Sequence, residues 1–355
     1  MRIMKHRTAT IIMMCILAAG TLAASEPAHT EDIIDSKRYE VGGFCYCIDK
    51  LSIDGVSYSG AFVMPSDNPK LTFTGIVAVP SNVTIEEISY PVIGFTSLTT
   101  IPECIEGLEQ LILPEGIRMV AEIGGARANI KNIFLPSTLQ GLGHIAYQTD
   151  TLRVPGSVKQ VYYDAQVGAK MLYLEDGVQN CSRYSLWCGN DTLVLPGSAT
   201  FQSYSMTATE LICLSIKRLT GDTEREILGE SFCPYSYKIR CIVSDNVIPP
   251  KVAVNAFRLA SYDGVDSPGM YDRATLFVPK ASIDAYKSDP EWGRFEKIMA
   301  IEDGVNDVAA DEAQVVATEY HDLYGRCLEA PAERGITIRT DVYSNGTRRC
   351  TKVLR

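Results

Sequence analysis

Histidine is scarce in this chain of 355 residues. There are four, at positions 6, 29, 144 and 321, and none sits beside a cysteine. The chain also has no C-x-x-C, so the ligand spacing of a zinc site is missing. No G-x-S-x-G elbow, P-loop, G-x-G-x-x-G after a strand, H-E-x-x-H or EF-hand loop is found either. Nucleophilic catalysis, phosphate cradling and metal-assisted hydrolysis are therefore left without a motif, and the chain reads as non-enzymatic, with no catalytic residues, no metal and no cofactor. A hydrolase with a site outside the repeats described below would have to draw on His144 or His321. His144 follows Gly143 and reads as a surface residue in a repeat turn. The acidic pairs Glu86-Glu87 and Glu302-Asp303 would point apart on a strand and read as solvated charge. Positive charge is in deficit, with 33 Lys+Arg against 43 Asp+Glu. That balance disfavours nucleic acid or an anionic membrane as a partner. No apolar run approaches the roughly 20 residues of a spanning helix, so no transmembrane segment is expected.

The first 24 residues have the layout of a secretory signal. Arg2, Lys5 and Arg7 form the positive start, Ile11 to Ala19 the apolar stretch and Thr21-Leu22-Ala23-Ala24 the small-residue cleavage region. Loss of this segment would leave a net charge of −13, and would make the remainder an exported protein in an oxidising compartment.

The most informative feature is a repetition: LILPEGI at Leu111, IFLPSTL at Ile133, LRVPGSV at Leu152, LYLEDGV at Leu172 and LVLPGSA at Leu193. The units begin 22, 19, 20 and 21 positions apart, a period that suits a solenoid of short strands. A weaker sixth unit, LICLSI, begins at Leu211. Alternation along a strand points the first and third residues inward: Leu111 and Leu113, Ile133 and Leu135, Leu152 and Val154, Leu172 and Leu174, Leu193 and Leu195. Proline at 114, 136, 155 and 196 ends each strand. A second apolar pair three residues apart follows, Ile117 with Val120, Leu139 with Leu142, Val158 with Val161 and Val178 with Cys181, as a tight helical or 3₁₀ turn needs. The predicted fold is a repeat solenoid, mainly β with short helical or 3₁₀ turns, in the manner of a leucine-rich repeat horseshoe.

This pattern divides the chain into a signal peptide (1–24), a flexible lead and N-terminal β cap (25–98), the solenoid with its C-terminal cap (99–300), a linker (301–318) and a small β domain (319–355). In the N-terminal cap, YEVGGFCYCI, GVSYSGAFVM and LTFTGIVAVP read as three strands separated by turn residues. At the other end, Leu276-Phe277-Val278-Pro279 feeds a short amphipathic helix from which Ile283, Tyr286, Trp292 and Phe295 can cover the end of the core. Beyond the linker, Ser344-Asn345-Gly346 reads as a hairpin turn.

Among the cysteines, Cys181 and Cys213 fall on inward repeat positions and act as small apolar residues. Cys45 and Cys47 share one strand face and suit separate packing. Cys327 and Cys350 flank the predicted hairpin and form the candidate disulfide pair.

Three stretches resemble the BspA-like leucine-rich repeat surface proteins over residues 40 to 300: YSGAFVM…VAVPSNVTIEEISYPVIGF, the L-x-L-P-x-x-V units, and IPPKVAVNAF…TLFVPKASIDAYKSDPEWGRFEKI. The family's isoleucine-glycine and alanine-phenylalanine elements survive only at Ile93-Gly94, Ile123-Gly124 and Ala256-Phe257. The tail, with YHDLYGR, GITIRT and KVLR, is similar to a short type IX secretion sorting domain. Asp150-Thr151-Leu152 and Asp191-Thr192-Leu193 look like the O-glycosylation sequon of such bacteria. The resemblance implies a secreted or cell-surface protein, exported across the outer membrane, that mediates adhesion through an extracellular protein partner: host matrix or another cell-surface protein.

The residues between the inward ones line the outer sheet face as Gln110/Ile112, Asn132/Phe134, Thr151/Arg153, Met171/Tyr173, Thr192/Val194 and Glu210/Ile212. Aromatic and apolar side chains mixed with amides and hydroxyls suit protein recognition. Ile112, Phe134, Arg153, Tyr173 and Val194 are the candidate partner-binding residues, with Phe134, Arg153 and Tyr173 as central anchors. The same composition also suits a face that packs against a loop, and a glycan or nutrient is the alternative ligand.

Overall fold

The computed structural model describes residues 37–123, 130–145, 149–260 and 269–301, and, towards the C-terminus, 315–321, 327–328, 330, 336–343 and 348–354. The predicted signal peptide, the lead up to residue 36, Gly124, residues 302–314 of the expected linker and the turn at 344–347 lie outside the described residues, whereas 301 and 315–318, also expected in the linker, belong to strands. Two compact units divide the chain, one ending at Ile301 and the other beginning at Glu302.

The first unit is a mainly-β solenoid of about nine turns. Its L-x-L strands stack in parallel as two five-stranded sheets, termed here the ladder. One joins Gly75–Ala78, Leu108–Ile112, Asn132–Phe134, Thr151–Val154 and Met171–Leu174. The other joins Thr192–Leu195, Cys213–Ile216, Cys241–Ser244, Thr275–Pro279 and Lys297–Ile301. The inward residues are buried as the alternation requires, Leu111, Leu152 and Val154 completely and Leu135 partly. The ladder starts one turn earlier than expected. Gly75–Ala78, predicted as the third strand of the N-terminal cap, pairs in parallel with Leu108–Ile112, because Val77-Ala78-Val79-Pro80 is itself an L-x-L-P unit with Val79 buried.

After each strand the chain reverses through one turn closed by a backbone bond: Ile117 N–H to Pro114 O (3.4 Å), Leu139 N–H to Pro136 O (3.2 Å) and Val158 N–H to Pro155 O (3.0 Å). The second apolar pair was expected to stay within that tight turn. Only its first member does. The second member of each pair lies on a further parallel strand, and these strands form a back sheet in which Phe95, Val120, Leu142, Val161, Cys181 and Phe201 stand in register. All six are 2% exposed or less. A third, three-stranded sheet, Val167–Ala169, Leu186–Cys188 and Met206–Ala208, closes the other side of the middle turns.

Turns stack closely enough to demand glycine. A Cβ on Gly197 would lie 1.7 Å from the carbonyl oxygen of Arg218, and one on Gly156 2.0 Å from that of Asp176. Hydroxyl groups bridge the same step: Thr138 Oγ1 accepts from Gly116 N–H (2.9 Å) and donates to Ile117 O (2.8 Å), and Ser198 Oγ repeats this with Gly177 and Val178.

At the N-terminal end, Phe44–Ile53 and Val56–Met64 form a hairpin around Asp54-Gly55, both with positive φ, as a two-residue turn matching strand twist needs. Cys45 and Cys47 share a face and pack with Phe62, Met64 and Ile93. Glu86-Glu87 is the turn of a second hairpin, with φ of 49° and 69°, and not a strand pair. At the other end the helix Ile283–Ser288 and the 3₁₀ turn Trp292–Arg294 bury Tyr286, Trp292 and Phe295 against Phe257 and Tyr271. The two polar tips are satisfied, Trp292 Nε1–H by Pro250 O (2.8 Å) and the Tyr286 hydroxyl by Ser244 Oγ (2.7 Å) and Asn246 O (3.0 Å). The predicted aromatic cap is a core closure, as expected.

The second unit is a four-stranded antiparallel sheet in the order Cys327–Leu328, Val315–His321, Ile336–Tyr343, Arg348–Leu354. Cys327 and Cys350 therefore sit on opposite edge strands with two strands between them, about 14 Å apart at normal strand spacing. A disulfide tolerates at most about 7 Å between Cα atoms, so this order corrects the expected pair.

Candidate functional site

Four of the five candidate residues, Ile112, Phe134, Arg153 and Tyr173, stand side by side on the ladder's outer face, and Val194 holds the matching position on the first strand of the second sheet. Backbone register aligns Ile112 with Phe134 and Arg153 with Tyr173 on neighbouring strands, while Thr151 and Leu152 pair with Asn132 and Ile133 and so bring Arg153 beside Phe134. Their side chains face solvent: Ile112 37%, Phe134 51%, Tyr173 40% and Val194 43% exposed. The Arg153 guanidinium lies over the Tyr173 ring, 4.5 Å from its centroid. That stacking holds the long arginine flat against the sheet, and an exposed pair of this kind is worth about 0.5–1 kcal/mol. Met171, one position before the row, is also exposed and contacts the Tyr173 hydroxyl through its sulfur (3.9 Å).

The row extends further than the sequence reading placed it. Ala78 continues it before Ile112 and the exposed Met299 at the far end, while the exposed Ile76 stands beside it in the row of Gln110. Between Val194 and Met299 the aligned positions are Ser215, Val243 and Phe277, all half-buried. One register corrects the expectation. In the sixth unit Leu214 and Ile216 align with Leu193 and Leu195, so the outward residues are Cys213 and Ser215 in place of Glu210 and Ile212. Cys213 is thereby an outward residue, although it was expected inside. LICLSI permits both readings because it offers apolar residues in both phases, and a one-residue slip exchanges the two faces.

Ion pairs fringe the strand starts, joining successive turns: Glu109 to Lys131 (3.7 Å), Asp150 to Lys170 (2.5 Å) and Glu210 to Lys238 (2.5 Å). All are exposed, so they add little stability but give the apolar row a charged rim.

His144 is not in a turn. It lies on the back-sheet strand Gly141–Ile145, half-buried and opposite Glu122. Burial lowers the imidazole pKa, opposed by the charge of Asp164, and pushes the Glu122 carboxyl up to about 6. His321 ends the strand Val315–His321 in the second unit, and His29 lies outside the described residues. No group of three His, Cys, Asp or Glu side chains able to hold a metal occurs among the described residues.

The sequence reading missed a second surface, at the corner after the back sheet. There Tyr163, Tyr184 and Tyr204 follow one another with ring centroids 6.3 and 6.1 Å apart. Arg183 sits over two of these rings, 5.0 Å from Tyr184 and 4.7 Å from Tyr204. Beside them is a shallow, open cleft of about 310 Å³ lined by Arg183, Thr200, Phe201, Gln202, Ser203, Glu226 and Gly229. The corner residue of five turns, Asp164, Tyr184, Tyr204, Ser231 and Asn255, has φ between 46° and 61°. Aspartate and asparagine adopt this region readily, whereas tyrosine is an outlier there. The legible signal was the Tyr-Ser dipeptide at 184–185 and again at 204–205.

No family model and no curated protein matches the chain. Among solved structures it is similar to a leucine-rich cell surface protein from Faecalibacterium prausnitzii A2-165, with 11% identity, 79% of this chain and 96% of that one covered and a TM-score of 0.26. It is also similar to the pneumococcal vaccine antigen PcpA, with 11% identity, 75% and 98% covered and a TM-score of 0.29. At these scores the fold rests on the strand register described above. No helix among the described residues is long and apolar enough to cross a membrane.

Proposed function

We propose that the chain is an exported, non-enzymatic surface protein of the BspA-like kind, which binds an extracellular protein through the outer face of its ladder. The observation that carries this reading is the row Ile112, Phe134, Arg153, Tyr173 and Val194. Apolar and aromatic residues recur there in register on adjacent strands, where solubility alone would favour polar ones, and Arg153 is held in place by Tyr173. Rigid aromatic and arginine anchors inside a charged rim match the anatomy of a recognition surface. The signal-like first 24 residues support export, and the similarity of the tail to a sorting domain supports passage to the cell surface.

The test combines Phe134→Asp with Tyr173→Asp and measures both unfolding and capture of immobilised host matrix proteins. Exposed substitutions should change stability by no more than about 1 kcal/mol in total while capture falls at least tenfold, as losing two anchors implies. Capture unchanged at unchanged stability would exclude the ladder.

A second reading, glycan binding, is favoured by the Tyr163, Tyr184, Tyr204 and Arg183 corner with its hydrogen-bonding cleft. Sugar rings stack on aromatic faces, accept hydrogen bonds from amide and guanidinium N–H groups and donate them to carboxylates. Binding to a polysaccharide array that is lost with Tyr184→Ala and kept by the ladder double variant would select it.

A further inference from the structure

The register of the sixth unit also brings two cysteines together. Cys213 and Cys241 are direct partners on adjacent parallel strands, and both point outward, since their neighbours Leu214 and Ile242 are completely buried. Of the eight described cysteines of the first unit, six are buried and these two are half-exposed. Adjacent strands lie about 4.8 Å apart, inside the roughly 4.4–6.8 Å that a disulfide spans between Cα atoms.

We infer that Cys213 and Cys241 form a solvent-accessible dithiol that closes to an intrachain disulfide across two turns of the ladder. The two thiols lie within hydrogen-bonding reach, and the bond from Cys213 lowers the pKa of Cys241 while raising its own. The first attack comes from whichever thiol is deprotonated, and the chemistry is the same with the two cysteines exchanged. With glutathione disulfide as the oxidant, Cys241 Sγ displaces one glutathione thiolate and forms a mixed disulfide. Cys213 then loses its proton, attacks Cys241 Sγ and expels the second glutathione. The protein gives up two electrons and two protons, and one glutathione disulfide becomes two glutathione thiols.

The position gives this bond a structural purpose. Cys213 and Cys241 bracket a turn of 28 residues, against 19 to 22 for the regular turns, and it contains the charged excursion 217–230. A covalent staple at its base holds the two ladder strands together across a turn longer than the regular ones. The geometry is independent of whether the ladder binds a partner.

The experiment uses the purified, folded full chain, equilibrated with glutathione disulfide, alkylated and mapped by mass spectrometry. The expected product is one peptide pair linked through Cys213 and Cys241, reversed by dithiothreitol. In Cys213→Ser, Cys241 should instead retain a stable glutathione adduct, because the resolving thiol is gone. The inference is overturned if the wild-type protein carries separate glutathione adducts on the two cysteines, or if both remain fully alkylated after oxidation.

Discussion

The regular turns between Leu111 and Leu195 and the longer turns from Leu211 to Ile301 share one ladder but present it differently. In the regular turns the outward positions are open to solvent, with Phe134 half exposed. In the later turns the equivalent Ser215, Val243 and Phe277 are half-buried. The regular turns owe their cohesion to stacked aliphatic residues in register. The later turns end in an aromatic cluster, Phe257, Tyr271, Tyr286, Trp292 and Phe295, whose polar tips are bonded to backbone carbonyls, Ser244 and, for Tyr271, the Glu291 carboxylate. A solenoid can repeat a small aliphatic unit indefinitely, but its last turn has no following turn to cover it. Large rings supply that missing surface in few residues.

This contrast breaks most clearly at the cap. Trp292→Ala should cost about 3–5 kcal/mol, because the ring is fully buried and its Nε1–H bond to Pro250 is lost as well. Leu152→Ala in a regular turn should cost less, within the range of about 2–5 kcal/mol for a buried leucine. Denaturant unfolding of both variants tests the order, and an equal or smaller loss at Trp292 would remove the special role of the cap.

Close stacking of the turns gives the next effect. Gly197→Ala forces a methyl group against the Arg218 carbonyl, and overpacking of this kind costs about 1–3 kcal/mol. A thermal midpoint equal to that of the wild type would show that the turn spacing relaxes freely.

The smallest effect sharpens the comparison through pH. The Glu122 carboxyl is raised to about 6 by burial, so the folded state binds its proton more tightly than the unfolded state does. Its charged form is destabilising, a penalty absent below about pH 4.5 and complete above about pH 6, and worth up to about 2 kcal/mol. Glu122→Gln should therefore stabilise the protein near pH 7.5 and leave stability unchanged near pH 4. The facing His144, with a pKa lowered by burial, acts in the opposite direction on acidification in both proteins and cancels in the difference. An equal gain at both pH values would mean that the carboxyl ionises freely.

Much of the fold was legible because one physical rule repeats. Alternation in a strand sorts Leu111 from Ile112 and Leu152 from Arg153 without reference to any other part of the chain, and the proline after each strand marks where it stops. The back sheet was less legible. A pair such as Val158 and Val161 suits a turn and a strand start equally, and the choice is made by hydrogen bonds to the neighbouring turn. Register failed at LICLSI for the same reason, since both phases are apolar there. The tyrosine corner was missed because Tyr163, the Arg183-Tyr184 pair and Tyr204 lie about 20 residues apart and meet only when turns stack.

The sequence by itself determined the period, the inward and outward sides of the regular ladder strands and the presence of an aromatic closure, because each follows from local alternation and composition. The tertiary structure decided which strands pair, and so which distant residues become neighbours. Cys213 meets Cys241, Glu122 faces His144, and Cys327 is kept from Cys350 by two intervening strands. Pairing depends on hydrogen bonds between turns that lie far apart along the chain, and local patterning fixes their register only where a single phase of the strand is apolar.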